Sequence, residues 1–321
     1  MNRNVFKKIA YHAQKVYTEH AKKSKDAFVG KKVMYSESGN LLIKETLSEL
    51  SPKLISRFGT TESSFIIEYL KKLGRNIESE KVAQDLWNLS GVFPLNKETL
   101  DAFFCEYQNA LSFIDICGVR CGSEEFAFWE QEELMTSMLR KECSIVDIEL
   151  LFPLKMENPW TNALKDKKVL IIHPFIDSMS KQFNIRDKLF KNEDFLPEFT
   201  PIWVKAPQTL RQVSKMAQDD WMVRLNELDE LIMKIEFDVA LIGCGAYGLP
   251  IAKRVKQSGK TAIHIGGALQ LFFGIRGNRW VKLLESAHSQ INIEHWTWPS
   301  SEETPPEAHE IERAAYWAPT N

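Results

Sequence analysis

Val239-Ala240-Leu241-Ile242-Gly243-Cys244-Gly245-Ala246-Tyr247-Gly248 decides the fold: an apolar run enters a G-x-G-x-x-G turn, and a helical pattern follows over 247–258. Gly243 permits the tight turn and Gly245 lets the backbone approach a diphosphate. Gly248 lets the following helix pack closely while its N-terminal N–H groups face the anion. The stretch therefore predicts a phosphate-cradling turn, with glycines that only allow tight strand-to-helix packing as the alternative. The next strand, Thr261-Ala262-Ile263-His264-Ile265, runs into Gly266-Gly267 rather than into the acidic residue that would bind the ribose of a nicotinamide cofactor. An NAD(P)-dependent oxidoreductase is thereby disfavoured.

Working outward, Lys168-Val169-Leu170-Ile171-Ile172 is a near-continuous apolar run of the kind found in a parallel strand covered on both faces, and it feeds His173-Pro174-Phe175. Helix 177–191, strand 201–204, helix 217–235, strand 238–242, helix 247–258 and strand 261–265 follow in βαβ order. Upstream, the pattern gives a helix from 42 to 50, a strand at Leu54-Ile55-Ser56-Arg57-Phe58 and a helix over 63–72. Helices near 79–89, 97–110 and 129–141 bracket a strand at Phe113-Ile114-Asp115-Ile116-Cys117, and another strand follows at Ser144-Ile145-Val146-Asp147-Ile148. The alternation predicts an α/β fold with a Rossmann-like, mostly parallel sheet flanked by helices. Residues 1–41 read as a peripheral basic helix and a connection through Gly39 and Asn40. Residues 42–280 read as the α/β domain. Residues 281–321 read as an irregular tail laid on that domain by aromatics such as Trp296 and Trp298.

At 321 residues, 44% hydrophobic and 26% charged, the chain has material for one large or two medium cores. Its formal charge of -2 argues against general attraction to nucleic acid or to a membrane surface. Cys105, Cys117, Cys121, Cys143 and Cys244 contain no C-x-x-C pair and read as reduced, mostly buried thiols. No apolar run near the start reaches signal-peptide or membrane-span length, so a cytoplasmic protein, resting on the inner face of a membrane through partners, is expected.

Four separated motifs coincide in this order: Arg57-Phe58-Gly59-Thr60-Thr61-Glu62, Pro159-Trp160 before His173-Pro174-Phe175, the glycine turn 243–248, and His264-Ile265-Gly266-Gly267-Ala268-Leu269-Gln270. Together, over roughly residues 45–317, the chain resembles the bacterial GT-D-fold glycosyltransferases. The resemblance extends to Ser90-Gly91-Val92-Phe93-Pro94, to Phe272-Phe273-Gly274-Ile275-Arg276-Gly277-Asn278-Arg279-Trp280 and to Tyr316-Trp317. It implies a GT-D-like sheet and transfer of a sugar from a nucleotide-sugar donor to a glycan or lipid-linked glycan acceptor of capsule or O-antigen type. It also implies a divalent metal, Mn or Mg. The family's acidic pair after Arg-x-Gly appears as Thr60-Thr61-Glu62, so Glu62 is the one acid retained as a metal ligand, which makes for a weaker site. A nucleotide-binding module without catalysis is the alternative function.

The candidate catalytic residues are Glu62, Arg57 and His173. Arg57 ends a strand and is suited to grip a diphosphate, unless it pairs with Glu62 or Glu68. His173 is suited to phosphate contact or proton transfer, unless it is a hydrogen-bonded core histidine. Gly59 and Thr60, with Gly243, Gly245 and Gly248, are expected at the donor, although Thr60 and Thr61 also suit a helix N-cap. Tyr247 is expected to stack on a base or sugar, and His264, Gly266 and Gln270 to read the donor. Arg276, with Arg279, is expected to close over phosphates, and Ser178 and Gln182 to share a helical face towards the crevice.

Overall fold

The computed structural model describes residues 27–49, 51–120, 126–210, 220–306, 308–311 and 314–319. The expected basic helix over 1–25 lies outside them. The strands are β1 (Ala27–Phe28), β2 (Lys31–Met34), β3 (Leu54–Arg57), β4 (Ile116–Val119), β5 (Ser144–Asp147), β6 (Lys168–His173), β7 (Thr200–Lys205), β8 (Val239–Ile242) and β9 (Thr261–His264). They form one sheet in the order β1-β2-β5-β4-β3-β9-β8-β6-β7. Eight strands run parallel, and β1 turns back antiparallel on β2 at the edge. The fold is the α/β, Rossmann-like sheet that the alternating pattern predicts.

Both faces are covered, and the side chains divide with the two-residue period of a strand. Leu170 and Ile172 of β6 and Ala240 and Ile242 of β8 enter one core, whereas Val169, Ile171, Val239 and Leu241 enter the other. From β6 the chain passes to β7 on one side, while β8, β9 and β3 lie on the other. Such a reversal opens a crevice at the carboxyl ends of the strands.

Several expected boundaries are corrected. Gly39 and Asn40 are not in a connection but buried within helix Ser36–Ser48. Asn40 donates to the Asn158 carbonyl and accepts from the Trp160 N–H, each at 2.8 Å, and this tertiary anchoring outweighs poor helix propensity. The preceding strand β2 pairs with β5, so residues 31–41 belong to the sheet and its cover rather than to a peripheral segment. The helix expected over 177–191 ends at Phe183. The strand expected over 113–117 runs two to three residues later, as β4, because Phe113 and Ile114 close the preceding helix in turns. Cys117, Cys143 and Cys244 are buried, Cys105 is exposed, and Cys121 lies outside the described residues.

The C-terminal segment is pinned to the domain through its aromatics. Trp296 and Trp317 are buried, and their indole N–H groups donate to the carbonyls of Leu189 and Glu303 at 3.0 Å. The buried Glu303 carboxylate accepts from the N–H groups of Asp177 and Ser178, capping helix Ile176–Phe183 from outside its own sequence. Among the described residues no helix is long and apolar enough to cross a membrane.

Candidate active site

A cavity of about 580 Å³ opens at the carboxyl ends of β3, β4, β5, β6, β8 and β9. Of the expected site residues, Arg57, Gly59, Thr60, Glu62, His173, Gly243, Gly245, Tyr247, His264 and Gly266 line it. Gly248, Gln270 and Arg276 do not.

The wall at β3 is built by Arg57 and by helix Thr60–Lys72. Gly59 is the N-cap residue, and no side chain caps this helix, so the capping reading of Thr60 and Thr61 fails. Glu62, buried to 8% exposure, folds back over the cap. A Cβ at Gly59 would stand 2.5 Å from the Glu62 carboxyl carbon, so this glycine makes room for the acid. Arg57 forms no ion pair with Glu62 or Glu68 among the described residues. Its guanidinium lies over Gly266, 3.6 Å from where a Cβ would project, and Gly266 takes a φ of +75° that glycine favours.

His173 follows from β6 into the cavity wall at 2% exposure. Its Nδ1 accepts from the Phe175 N–H at 3.0 Å, and burial pushes its pKa down to about 3. The ring is therefore neutral with the proton on Nε2, a hydrogen-bond donor and not the base that proton abstraction needs.

The glycine turn works differently from its fingerprint. A Cβ at Gly243 would stand 2.6 Å from the Gly266 carbonyl and 2.8 Å from His173 Cδ2, so this glycine joins the turns after β8 and β9. At Gly245, φ is +54° and a Cβ would meet the Ser90 carbonyl at 3.1 Å, so this glycine also admits the loop at Ser90. Gly248 makes room for the imidazole of His264. Tyr247 does not offer its ring to a base. It is 1% exposed, it stacks on Trp221 at 5.9 Å, and its hydroxyl bonds Thr209 Oγ1 at 2.8 Å.

Other expectations are corrected by hydrogen bonds that occupy the side chains. Gln270 is fully buried and donates to the carbonyls of Ile275, Arg276 and Tyr316, joining the loop after β9 to the tail. Arg276 bonds the Ile293 carbonyl. Ser178 bonds Glu303, and Gln182 bonds the carbonyls of Gly274 and His295. His264 Nδ1 lies 3.0 Å from Ser56 Oγ, and its pKa falls to about 3 through burial and then the nearby Arg57 charge. Its ring thus braces β9 against β3 through Nδ1 while lining the cavity.

Sequence reasoning passed over Arg120. It follows β4 directly, as Arg57 ends β3, but a strand placed at 113–117 leaves it in a loop. Its Nη1 donates to Glu132 at 2.5 Å and its Nη2 to Thr60 Oγ1 at 3.3 Å. Its ring neighbour is Phe128, whose centroid is 5.6 Å from the guanidinium carbon. Burial, then repulsion from Arg57, lowers the Arg120 pKa, and Arg279 adds to that repulsion. Burial raises the pKa of Glu132, against the pull of Arg120. Both shifts mark a pair whose desolvation outweighs its mutual attraction. Arg279 lies at the cavity rim, its guanidinium over the Tyr316 ring at 5.2 Å.

Among the described residues three guanidinium groups thus share a cavity in which Glu62 is the single acidic lining residue. A divalent ion of the Mn or Mg kind takes several oxygen ligands, with carboxylates leading. Among the described residues no group of three His, Cys, Asp or Glu side chains is placed to hold one, and the hydroxyl at Thr60 already accepts from a cation. Among the described residues the donor set does not fit the metal that the resemblance implies. No protein-family model, curated protein or solved structure matches the chain.

Proposed function

We propose that the chain is a glycosyltransferase that takes a sugar from a nucleotide-sugar donor and passes it to a glycan or lipid-linked glycan acceptor. The acceptor class, a capsule, O-antigen or related surface polysaccharide, rests on the ordered motifs alone. The reading is carried by one observation: among the described residues Arg57, Arg120 and Arg279 line a cavity with one carboxylate, at the strand ends where α/β sheets bind nucleotides. In transfer, an acceptor hydroxyl forms a bond to the anomeric carbon while the bond from that carbon to the diphosphate oxygen breaks. Glu62 takes the hydroxyl proton, and the electron pair leaves on the diphosphate between guanidinium groups. The neutral His173 contributes an N–H to the leaving oxygens or to the sugar. No step passes through a metal. Donors of this kind are cytoplasmic metabolites, so the enzyme works in the cytoplasm, at the inner face of the membrane where lipid-linked acceptors lie.

A thermal-shift panel of UDP, GDP, CMP and dTDP sugars tests the reading, since a ligand held by the native state raises its stability by mass action. At least one sugar nucleotide is expected to stabilise the protein. Stabilisation without transfer to any acceptor would favour a nucleotide-binding module, and NADH binding would favour an oxidoreductase.

A further inference from the structure

We infer that Arg120, held by Glu132 and Thr60, supplies the positive charge that a divalent metal would otherwise bring to the diphosphate, so that this site binds pyrophosphate without metal. The inference rests on reading the cavity as a diphosphate site, but not on sugar transfer. Three features place the charge. Arg120 leaves the carboxyl end of β4 and lines the cavity beside Arg57 of the neighbouring β3. Its Nη1 is fixed by Glu132, which is only 2% exposed, and its Nη2 by the Thr60 hydroxyl in the first turn of helix Thr60–Lys72. Among the described residues these side-chain bonds use two of the five guanidinium N–H groups, leaving donors for an anion. Gln131, on the same helix as Glu132, donates to the Thr60 carbonyl and to Ser64 Oγ, which ties the helix carrying Glu132 to the turn carrying Thr60.

The electrostatics give the direction of the effect. Arg57 and Arg279 repel Arg120 while Glu132 attracts it, and among the described residues two carboxylates, Glu132 and Glu62, stand against three guanidinium groups, leaving the site net positive. An anion with two or more charges relieves the repulsion, whereas a divalent cation adds to it. An acid at position 60 would sit within reach of the guanidinium and neutralise it. A hydroxyl there accepts the same hydrogen bond and leaves the charge available. Thr60 and Arg120 are thus chemically matched, and the residue that departs from the family's acidic pair is the one that orients the substituting cation.

Inorganic pyrophosphate titrated calorimetrically into the full chain tests this, in excess EDTA and again with Mn²⁺ matched to pyrophosphate. Binding in EDTA is expected, with an affinity not improved by Mn²⁺. The double variant Arg120→Gln with Glu132→Gln keeps an uncharged hydrogen-bonded pair, and is expected to lose affinity by about tenfold or more. Thr60→Asp is expected to weaken metal-free binding in the same direction. Arg120→Lys, which keeps the charge but not the planar fork, guards against misfolding of the double variant and is expected to lose affinity too, by about threefold or more. Binding only with Mn²⁺, no binding in either condition, or a folded double variant that binds like the wild type would overturn the inference. Pyrophosphate binding in EDTA with no response to any sugar nucleotide would leave the clamp standing and remove the glycosyltransferase reading.

Discussion

The backbone of Gly248 lies against the imidazole of His264, so closely that a Cβ there would stand 2.6 Å from ring Cδ2. The last glycine of the fingerprint therefore serves the neighbouring strand, and the ring it admits also reaches Ser56 of β3. Helix Gly248–Gln257, β9 and β3 are keyed together by one side chain. Gly248→Ala is expected to cost about 1–3 kcal/mol, the range for overpacking a close-fitted core. Denaturant unfolding checks it, and a change below about 0.5 kcal/mol would mean that the ring moves aside freely.

Glu303 stands in a comparable position on the other face. Its carboxylate accepts from the backbone N–H groups of Asp177, Ser178 and Ser300 and from the Ser300 hydroxyl. Glu303→Ala leaves several buried donors without an acceptor, and about 3 kcal/mol or more of stability should be lost. Limited proteolysis should then cut the C-terminal segment faster than in the wild type. Equal cleavage rates would show that its aromatic anchors suffice without the carboxylate.

Acid should weaken the fold through two histidines. Burial lowers His173 and His264 from their ordinary value of 6.5 to about 3. Between those values the unfolded chain binds protons that the folded chain refuses, so stability is greatest above pH 6.5 and falls as the pH drops towards 3. The slope reaches about 1.4 kcal/mol per pH unit for each histidine. Unfolding midpoints measured down to about pH 5 stay above most carboxylate titration. A flat profile there would contradict the buried, neutral state of both rings, and His264→Gln should reduce the slope by roughly half.

The fold was legible because its strands carry unambiguous signals. Val239-Ala240-Leu241-Ile242 and Val169-Leu170-Ile171-Ile172 are apolar on both faces, as a covered parallel strand requires. The crevice was legible at Arg57, Glu62 and His173, since each stands at a strand end or in the turn that follows. What periodicity could not convey was the direction of a side chain already taken by a tertiary hydrogen bond. Gln270, Arg276, Ser178 and Gln182 carry polar groups suited to a ligand, yet each bonds a segment far along the chain. Arg120 was hidden by the opposite error, a strand end misplaced by two residues.

Glu62→Gln keeps the shape that Gly59 accommodates and removes the one acid that lines the cavity among the described residues. Transfer should fall by about 100-fold or more, equivalent to about 2.7 kcal/mol of transition-state stabilisation, with the unfolding midpoint little changed. Turnover within about twofold of the wild type would remove Glu62 from the chemistry.

The proposed function requires that the crevice between Arg57, Glu62 and the glycine turn after β8 hold the diphosphate of a sugar nucleotide. Calorimetric titration of the sugar nucleotide that most stabilises the wild type, repeated on Arg57→Gln, tests it most directly. Saturable binding to the wild type is expected, with a loss of affinity of about tenfold or more in the variant, the scale of a charge-assisted contact to phosphate. Equal affinity in the two proteins, or no binding of any sugar nucleotide to the wild type, would contradict it.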